Sequence, residues 1–329
     1  MYSTTHPLRW GMIGCGAVTE KKSGPALQQA PGSQLLAVMG RNAGKAQDYA
    51  QRHCVPRVYT DVDSLLRDPE IDAIYIATPP DSHARYALQV AAAGKIGCVE
   101  KPMALNAQEC ERMVVAFEQH NLPLFVAYYR RSLPRFLQVK EWLDENRIGT
   151  VRHVQWNYYR PPGEKDLSGV PHWRTQPQIA GGGYFMDLAC HGLDLLLFLL
   201  GDITRASGFS SHQQHLYPAE DAVTACWQFA SGATGGGFWN FAAHQRVDEV
   251  TIVGSAGEIR FAVLLEQPVR LETARQQLTL SIPHPDPIQL PHVVNIVQHL
   301  NGANPHPSTG RSALRTAAIM DAILGRQGG

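Results

Sequence analysis

The stretch that decides the fold is residues 8–19, which read LRWGMIGCGAVT. The apolar run 8–13 predicts a buried strand, and it leads directly into a glycine-rich turn. Gly14 permits the tight turn, and Gly16 lets backbone N–H groups approach a pyrophosphate at the start of the next helix. Thr19 stands where the third glycine of the common dinucleotide-binding pattern would be. We therefore predict a dinucleotide-binding strand–turn–helix whose contact residues are Gly11, Gly14, Gly16, Ala17 and Val18.

An alternation of strand and helix patterns continues from this turn to residue 125. Further buried strands are predicted at 35–39, 73–77, 96–99 and 124–127, and helices at 44–53, 82–93 and 107–120. Strands that alternate with helices predict a parallel sheet. We therefore expect residues 1–125 to form an N-terminal Rossmann dinucleotide-binding domain.

Residues 126–329 have a different pattern, in which consecutive strands follow one another. Helices are predicted at 134–146, 184–200, 293–300 and 312–324, and strands at 151–159, 222–229, 235–241, 249–253 and 258–262. A loop at 160–183, rich in proline, glycine and tryptophan, is long enough to be functional. The prediction is an α/β protein whose C-terminal α+β domain has an open, mainly antiparallel sheet for substrate binding and oligomerisation.

Composition excludes several classes of protein. The chain has 329 residues with 29 basic and 29 acidic side chains, so it shows no electrostatic footprint for nucleic acid. No wholly apolar run approaches the ~20 residues that span a bilayer, and the N-terminus lacks a secretory signal, so we expect a cytoplasmic protein without a membrane partner. Six scattered cysteines form no Cys-x-x-Cys pair, which predicts reduced, mostly buried thiols and no metal site.

The end of the second predicted strand bears on cofactor choice. An acidic residue there would accept a hydrogen bond from the ribose 2′-hydroxyl of NAD, but the sequence has Gly40, Arg41 and Asn42. Arg41, followed by Lys45, can pair with a 2′-phosphate, which favours NADP(H) and leaves NAD(H) possible. The alternative is that Arg41 stacks on the adenine or is only solvated.

Lys101, Asp187 and His191 are the candidate catalytic residues. Asp187 and His191 are four residues apart, so a helix places both side chains on one face, where the carboxylate can orient the imidazole. The glycines at 181–183 would let a ligand approach the start of that helix. Lys101 follows a predicted parallel strand, at the edge where open α/β sheets bind ligands. The alternatives are a helix-terminal carboxylate with a hydrogen-bonded core histidine, and a solvated lysine paired with Glu100.

Several motifs together resemble one family. Besides GMIGCG at 11–16, the chain has TPPDSH at 78–83, EKP at 100–102, YYRR at 128–131 and Trp173-Arg174. The glycines at 181–183 and the pattern Asp-x3-His-x2-Asp at 187–194 follow. In this order, the motifs resemble the glucose–fructose oxidoreductase, inositol dehydrogenase and rhizopine-catabolism family, written Gfo/Idh/MocA, over most of the chain to about residue 260. Ser132 stands where that family usually has phenylalanine.

The resemblance implies roles for individual residues. Lys101 would contact both the nicotinamide and a substrate hydroxyl, and Asp187 and His191 would bind substrate and transfer a proton. The residues implied to line the cofactor are Thr78, Pro79, His83 and Glu100. Trp173 and Arg174 either hold the substrate or the cofactor carboxamide, or anchor the loop as a structural aromatic pair.

The resemblance also implies a reaction. Family members act mostly on sugars, cyclitols and related polyols, so we expect a homo-oligomeric dehydrogenase or reductase, dimeric or tetrameric, that transfers a hydride between NAD(P) and a hydroxyl or carbonyl carbon. One alternative is lyase, epimerase or glycosidase chemistry on the same fold, in which bound NAD(P) gives no net redox change. Another is a non-catalytic nicotinamide sensor that binds a protein partner.

Overall fold

The computed structural model describes residues 6–326, which separate into two compact units. The first unit contains the chain up to Ala104, Gln108–Leu133 and Pro285–Leu314. The second contains Leu105–Ala107, Pro134–His284 and the chain from Arg315 onward. These units differ from the contiguous division predicted at residue 125, because a late segment of the chain packs into the first unit.

A parallel sheet organises the first unit. Its strands are β1 (Leu8–Ile13), β2 (Ser33–Met39), β3 (Arg57–Tyr59), β4 (Ala73–Ile76), β5 (Ile96–Val99) and β6 (Leu124–Val126). Their order in the sheet is β3-β2-β1-β4-β5-β6, and every pairing is parallel. This is the order of doubly wound dinucleotide-binding folds, in which the strand order reverses between β1 and β4. The predicted Rossmann fold is confirmed.

Helices connect these strands. They are α1 (Ala17–Lys21), α2 (Ser23–Gln29), α3 (Ala43–Arg52), α4 (Val62–Arg67), α5 (His83–Ala92) and α6 (Ala107–Gln119). Asn42 begins α3 and Asp61 begins α4, since each side chain accepts a backbone N–H three residues later, from Lys45 and Ser64. These caps end the loops that follow β2 and β3 at fixed residues.

The second unit is built on a mainly antiparallel sheet. Its helices are α7 (Pro134–Asp144), α8 (Glu164–Leu167), α9 (Pro177–Ala180) and α10 (Cys190–Leu200). Its strands are β7 (Val151–Tyr159), β8 (Ile203–Ser211), β9 (Ala222–Phe229), β10 (Thr234–Asn240), β11 (Val247–Gly254), β12 (Gly257–Phe261), β13 (Val269–Thr273) and β14 (Gln277–Leu280). The order of strands in this second sheet is β14-β13-β12-β11-β7-β10-β9-β8. Of the pairings in this sheet within residues 6–326, only that of β7 with β10 is parallel. The predicted open, mainly antiparallel sheet is confirmed.

One face of this sheet packs against α10. Trp156 of β7 and Trp239 of β10 are buried and meet edge to face, with ring centroids 5.2 Å apart. A side chain at Gly192 would collide with the Trp156 ring, so this glycine lets α10 lie close to the sheet. Pro177–Leu200 has the length and apolar composition of a membrane-spanning helix, but 78% of its apolar window is buried in protein. The segment is therefore placed as a core helix of this unit.

The last two helices are α11 (Leu290–Leu300) and α12 (Gly310–Ile323). The apolar face of α11, with Val293, Ile296 and Leu300, joins the core of the first unit beside Trp10 and Phe125. The predicted second domain, residues 126–329, includes this segment, whereas the structure places it in the first unit. Its amphipathic pattern is satisfied instead by the core around the parallel sheet.

Candidate active site

The turn after β1 has the backbone that a phosphate requires. Gly14 has φ +103°, and a Cβ there would lie 2.9 Å from the carbonyl oxygen of Ala77, so this position requires glycine. Gly16 is exposed, and a Cβ there would meet no atom of another part of the chain within 4 Å. Gly16 thus leaves open space directly before α1. Gly11 is buried in β1, where an added Cβ would lie 3.0 Å from side-chain atoms of both Leu65 on α4 and Ile74 on β4.

Thr19 takes a structural role at the position of the missing third glycine. It is fully buried, and its hydroxyl donates to the carbonyl oxygen of Gly16 over 2.8 Å. The Tyr49 hydroxyl donates to the carbonyl oxygen of Thr19 over 2.9 Å. A side chain at Gly24 would collide with both the Tyr49 hydroxyl and the Thr19 carbonyl. The close packing that the third glycine usually allows therefore depends here on Gly24, which the sequence pattern did not reveal.

The loop after β2 presents basic side chains. Arg41 and Lys45 are exposed, and no hydrogen bond or ion pair to the Arg41 guanidinium is found within residues 6–326. The Asn42 side chain accepts the Lys45 backbone N–H over 2.9 Å, so Asn42 serves as the cap of α3. Nearby, burial raises the pKa of the Cys15 thiol to about 11. The Cys15 thiol is therefore neutral at physiological pH beside the turn.

The loop after β4 is held by a buried histidine. The Nε2 atom of His83 lies 2.7 Å from the carbonyl oxygen of Thr78, and its Nδ1 atom lies 3.0 Å from the carbonyl oxygen of Pro102. Burial lowers the pKa of His83. Both ring nitrogens thus face protein oxygens, so His83 ties the Thr78 loop to the Lys101–Pro102 turn. His83 therefore lies between the loop after β4 and the turn after β5.

The end of β5 carries Glu100 and Lys101. Glu100 is buried, and its Oε1 atom accepts hydrogen bonds from the Tyr75 hydroxyl over 2.7 Å and from the Gln289 side chain over 3.0 Å. Its Oε2 atom accepts the backbone N–H of Lys101 over 3.2 Å. The carboxylate is thus engaged inside the protein, and Lys101 is partly exposed at the carboxyl end of the sheet. Gln289 was not found by sequence reasoning, since no local motif marks it.

Tyr129 is a further residue at this end of the sheet. Its ring is buried, with the Lys22 ammonium 5.9 Å and the Arg130 guanidinium 5.1 Å from the ring centroid. Burial acts to raise the pKa of Tyr129, but the charges of Arg130, Lys22 and Lys101 outweigh it and the pKa is lowered. Cations therefore dominate the electrostatics around Tyr129. Ser132, which departs from the family pattern, is buried and accepts a hydrogen bond from the Asn295 side chain over 2.9 Å.

In the second unit, Asp187 lies on an unusual helical turn. Phe185–Ala189 is π-helical and continues into α10, which carries the buried His191. The segment that joins the two residues therefore begins with a π turn, and regular α-helical geometry starts only at Cys190. Before this turn, Gly181 has φ +75°, and a Cβ there would lie 2.7 Å from the carbonyl oxygen of Leu105. Gly183 donates its backbone N–H to the buried carboxylate of Glu220 over 2.9 Å.

Arg174 lies against Asp187. Its Nε atom donates to the Asp187 carboxylate over 3.2 Å, and its guanidinium carbon lies 4.2 Å from the Trp173 ring centroid. The pair predicted as a unit is thus a stacked tryptophan and arginine, and the arginine makes an ion pair with a candidate catalytic carboxylate. Trp173 therefore stacks on Arg174, and Arg174 pairs with Asp187.

A buried carboxylate anchors the 160–183 loop to the same turn. Asp166 accepts hydrogen bonds from the Tyr184 hydroxyl over 2.5 Å and from the Gly163 backbone N–H over 2.7 Å. The Tyr184 hydroxyl also lies 3.0 Å from His172 Nε2, and the Arg160 guanidinium stacks 4.3 Å from the Tyr184 ring centroid. The loop therefore contains short helices, and its Asp166 side chain is hydrogen-bonded to Tyr184, the residue directly before the π turn.

Within each unit, the structure brings together the predicted site residues that belong to it. In the first unit, β1, β4 and β5 are adjacent, so the turn at 14–16, the loop at 78–83 and Lys101 follow neighbouring carboxyl ends. In the second, Arg174 and Asp187 are in contact and His191 follows on the same helix. Within residues 6–326, no group of three or more histidine, cysteine or acidic side chains is placed to hold a metal ion.

This strand order, together with the positive-φ Gly14 and the open position at Gly16, defines a dinucleotide-binding protein of the Rossmann class. The comparisons with known proteins narrow that class. The chain belongs to the GFO/IDH/MocA oxidoreductase family: the model of its NAD-binding Rossmann domain matches residues 8–128, and that of its C-terminal domain matches residues 136–260. The resemblance inferred from the sequence motifs is confirmed.

Individual relatives cover most of the chain. Oxidoreductase P35 of Formosa agariphila is 36% identical, with 97% of this chain and 98% of that protein covered. The 1,5-anhydro-D-fructose reductase of Ensifer adhaerens is 29% identical, with 68% of this chain and 66% of that protein covered. Among solved structures, the WlbA dehydrogenase of Bordetella pertussis, in complex with NADH and UDP-GlcNAcA, is 25% identical and has a TM-score of 0.84. The match covers 98% of this chain and 96% of the WlbA dehydrogenase chain.

Proposed function

We propose that the protein is an NADP(H)-dependent oxidoreductase that transfers a hydride between the nicotinamide and a hydroxyl or carbonyl carbon of a sugar, cyclitol or related polyol. The observation that carries this proposal is the alignment of three functional loops at the carboxyl ends of β1, β4 and β5. Open α/β sheets bind ligands at this edge, beside the point where the strand order reverses. Membership of the oxidoreductase family supports the same reaction class.

The β1 turn fits a dinucleotide pyrophosphate. No side chain occupies the space next to Gly16, and the close approach of Gly14 to Ala77 keeps the turn tight. Backbone N–H groups at the start of α1 are then available to phosphate oxygens. The residues that would contact the dinucleotide at this turn are Gly14, Gly16, Ala17 and Val18.

The preference for NADP(H) rests on the loop after β2. Arg41 and Lys45 are exposed, whereas the side chain of Asn42 caps α3. Between residues 40 and 45 the chain has no carboxylate to accept a 2′-hydroxyl. Two cations without a competing acid favour a 2′-phosphate, because a charge-assisted hydrogen bond is about twice as strong as a neutral one.

The catalytic roles are assigned to Lys101, Asp187 and His191. A bound nicotinamide dinucleotide supplies the hydride acceptor or donor. Oxidation of an alcohol also needs a base for the hydroxyl proton, and reduction of a carbonyl needs an acid; lysine and histidine serve in both directions. We assign this exchange to Lys101 and His191. Asp187, held by Arg174 over 3.2 Å, binds and orients the substrate hydroxyls.

The relatives support a sugar-like substrate. One is a reductase of an anhydro sugar, and a solved relative holds a sugar nucleotide together with NADH. The 160–183 loop, anchored by Asp166 to Tyr184, is the part of the second unit that we expect to set specificity among such substrates. Its fixed shape favours a defined pocket over an adaptable one.

The test is cofactor binding followed by turnover. Calorimetric titration with NADPH and NADH measures the preference, and a panel of sugars, cyclitols and polyols is then assayed at the nicotinamide absorbance band. The proposal requires a net absorbance change with at least one substrate of this class. Conversion of substrate without any such change would show the lyase, epimerase or glycosidase chemistry instead. Binding of the cofactor with no conversion of any kind would point to a sensor.

We further propose a cytoplasmic homo-oligomer that associates through the open face of the second sheet. Phe209 of β8 and Phe238 of β10 are 85% and 48% exposed, and both flank Thr224 of β9. Large exposed aromatic side chains on one sheet face are typical of an interface. No cysteine of the described chain forms a disulfide, which suits a reducing compartment. Sedimentation of Phe209→Ser against the unmodified protein tests the interface.

A further inference from the structure

Three buried side chains from distant parts of the chain form a closed ring of polar contacts at Lys101. The Tyr75 hydroxyl donates to Glu100 Oε1 over 2.7 Å, and Gln289 Nε2 donates to the same oxygen over 3.0 Å. The Tyr75 hydroxyl lies 2.9 Å from Gln289 Oε1, which closes the ring. The other carboxylate oxygen, Oε2, accepts the backbone N–H of Lys101 over 3.2 Å.

The ring is shielded from water. Tyr75 and Gln289 are fully buried, and Glu100 is 6% exposed. A buried carboxylate must find its hydrogen-bond donors within the protein, because no water replaces a donor that moves away. Tyr75 and Gln289 are therefore the side-chain donors that hold the Glu100 carboxylate in the orientation that receives the Lys101 N–H.

Each member of the ring comes from a different element. Tyr75 lies on β4 and pairs in register with Cys98 of β5, the strand that leads to Glu100. Gln289 is the N-cap residue of α11, the helix that packs into the core of the first unit. The ring thus fixes the end of β5 against both its neighbouring strand and the returning helix.

We propose that Tyr75 and Gln289 are positioning residues that act through Glu100 to set the place and orientation of Lys101. This inference rests on the proton-transfer role proposed for Lys101. Neither residue belongs to a motif at the site: Tyr75 is an interior strand residue and Gln289 is far away in the sequence. Their effect on turnover is expected because a displacement of about 1 Å at a catalytic group costs up to ~100-fold in rate.

The experiment uses Tyr75→Phe and Gln289→Met, each made in the unmodified chain and in the Lys101→Met background. Both substitutions keep the buried volume nearly constant, and each removes the two polar contacts that its residue makes in the ring. The matched control is Tyr59→Phe, on β3 of the same sheet and away from Lys101. It likewise removes a hydrogen bond from a tyrosine hydroxyl to a carboxylate, that of Asp68. Steady-state kinetics, the pH profile of kcat and cofactor titration are measured for each variant.

In the unmodified background, kcat is expected to fall roughly 10- to 100-fold while cofactor affinity stays within about two-fold. Lys101→Met is expected to abolish one limb of the pH profile of kcat. The midpoint of that limb is expected to shift in Tyr75→Phe and Gln289→Met and to stay unchanged in the Tyr59→Phe control. In the Lys101→Met background, the same substitutions are expected to cause less than about two-fold further loss, since residues acting through one group are non-additive.

Two results would overturn the inference. One is a kcat within about two-fold of normal in both ring variants while Lys101→Met loses turnover. The other is an equal loss in both backgrounds, or a parallel loss of cofactor binding, which would show a merely structural role. If Gln289→Met does not fold, Gln289→Asn, which shortens the same amide, replaces it. Normal turnover of Lys101→Met itself would instead refute the proposed role of Lys101, so the two failures remain distinguishable.

Discussion

Lowering the pH from about 7.5 to about 5 is expected to destabilise the first unit, because it buries neutral histidines, of which His306 and His292 are in contact. His306 is 4% exposed, its Nδ1 atom accepts the Ser308 backbone N–H over 3.0 Å, and its Nε2 atom lies 3.2 Å from the carbonyl oxygen of His292. His292 is fully buried, and its ring meets that of His306 edge to face with centroids 4.7 Å apart. These partners suit a neutral imidazole that donates from Nε2.

The magnitude follows from the pKa values. Burial lowers the pKa of His306 to about 4, against 6.5 for an ordinary histidine. Above pH ~6.5 both folded and unfolded chains carry a neutral ring, so stability is complete; between ~6.5 and ~4 only the unfolded chain takes up the proton, so stability falls with pH. At pH ~5 the loss from His306 is about 2 kcal/mol. Burial also lowers the pKa of His292 well below its ordinary value, which adds a loss in the same direction.

The assay compares the unmodified protein with His306→Gln, which keeps a polar amide but does not titrate. The urea dependence of hydrogen exchange at the amides of β5 and β6 reports the unfolding of the first unit alone. The variant is expected to be less stable at pH ~7.5 but to lose about 2 kcal/mol less on acidification. Titrating groups that do not contact His306, including the buried His83, are common to both proteins and cancel. Equal losses on acidification, within ~0.5 kcal/mol, would refute the reasoning.

Three further predictions concern the proposed site. Arg41→Ala is expected to weaken NADPH binding by about 1.5–3 kcal/mol and to leave NADH binding nearly unchanged, and tighter binding of NADH by the unmodified protein in calorimetry would contradict the preference. Gly16→Val is expected to abolish dinucleotide binding with an unchanged thermal midpoint, because a Cβ there meets no other part of the chain; normal titration of the folded variant would show a purely structural turn. Lys101→Met and His191→Ala are each expected to lower kcat by roughly 10²–10⁴ with cofactor affinity within a few-fold, and near-normal turnover in both would contradict the assignment.

The fold could be predicted where buried side chains form a continuous or regularly alternating apolar pattern in the sequence. The predicted bounds of β1, β5, β7 and β9 match the structure residue for residue, since these strands are continuously apolar or alternate clearly. The strands that were not predicted are short or lie towards the sheet edges: β3, β8, β13 and β14. β8 has no buried residue, so it carries no apolar period. Edge strands are specified by their backbone partner rather than by their own side chains.

The site was predictable in its motifs but not in its support. Glycines and strand-end polar residues reveal the turn and Lys101, because their chemistry is local in sequence. Gln289 and Gly24 have no such signal, since their roles depend on contacts made only after folding. The π turn at Asp187 was also hidden, because a period of 3.6 residues predicts an uninterrupted helix there.

The return of α11 to the first unit has a consequence for protein engineering. A chimera designed to exchange the cofactor-binding module by cutting near residue 125 would leave the apolar face of Val293, Ile296 and Leu300 behind on the wrong parent. The donor module would then expose the surface that this helix covers, and Glu100 would lose Gln289. An exchangeable module therefore consists of two separate stretches of chain, with Pro285–Leu314 transferred together with the N-terminal part.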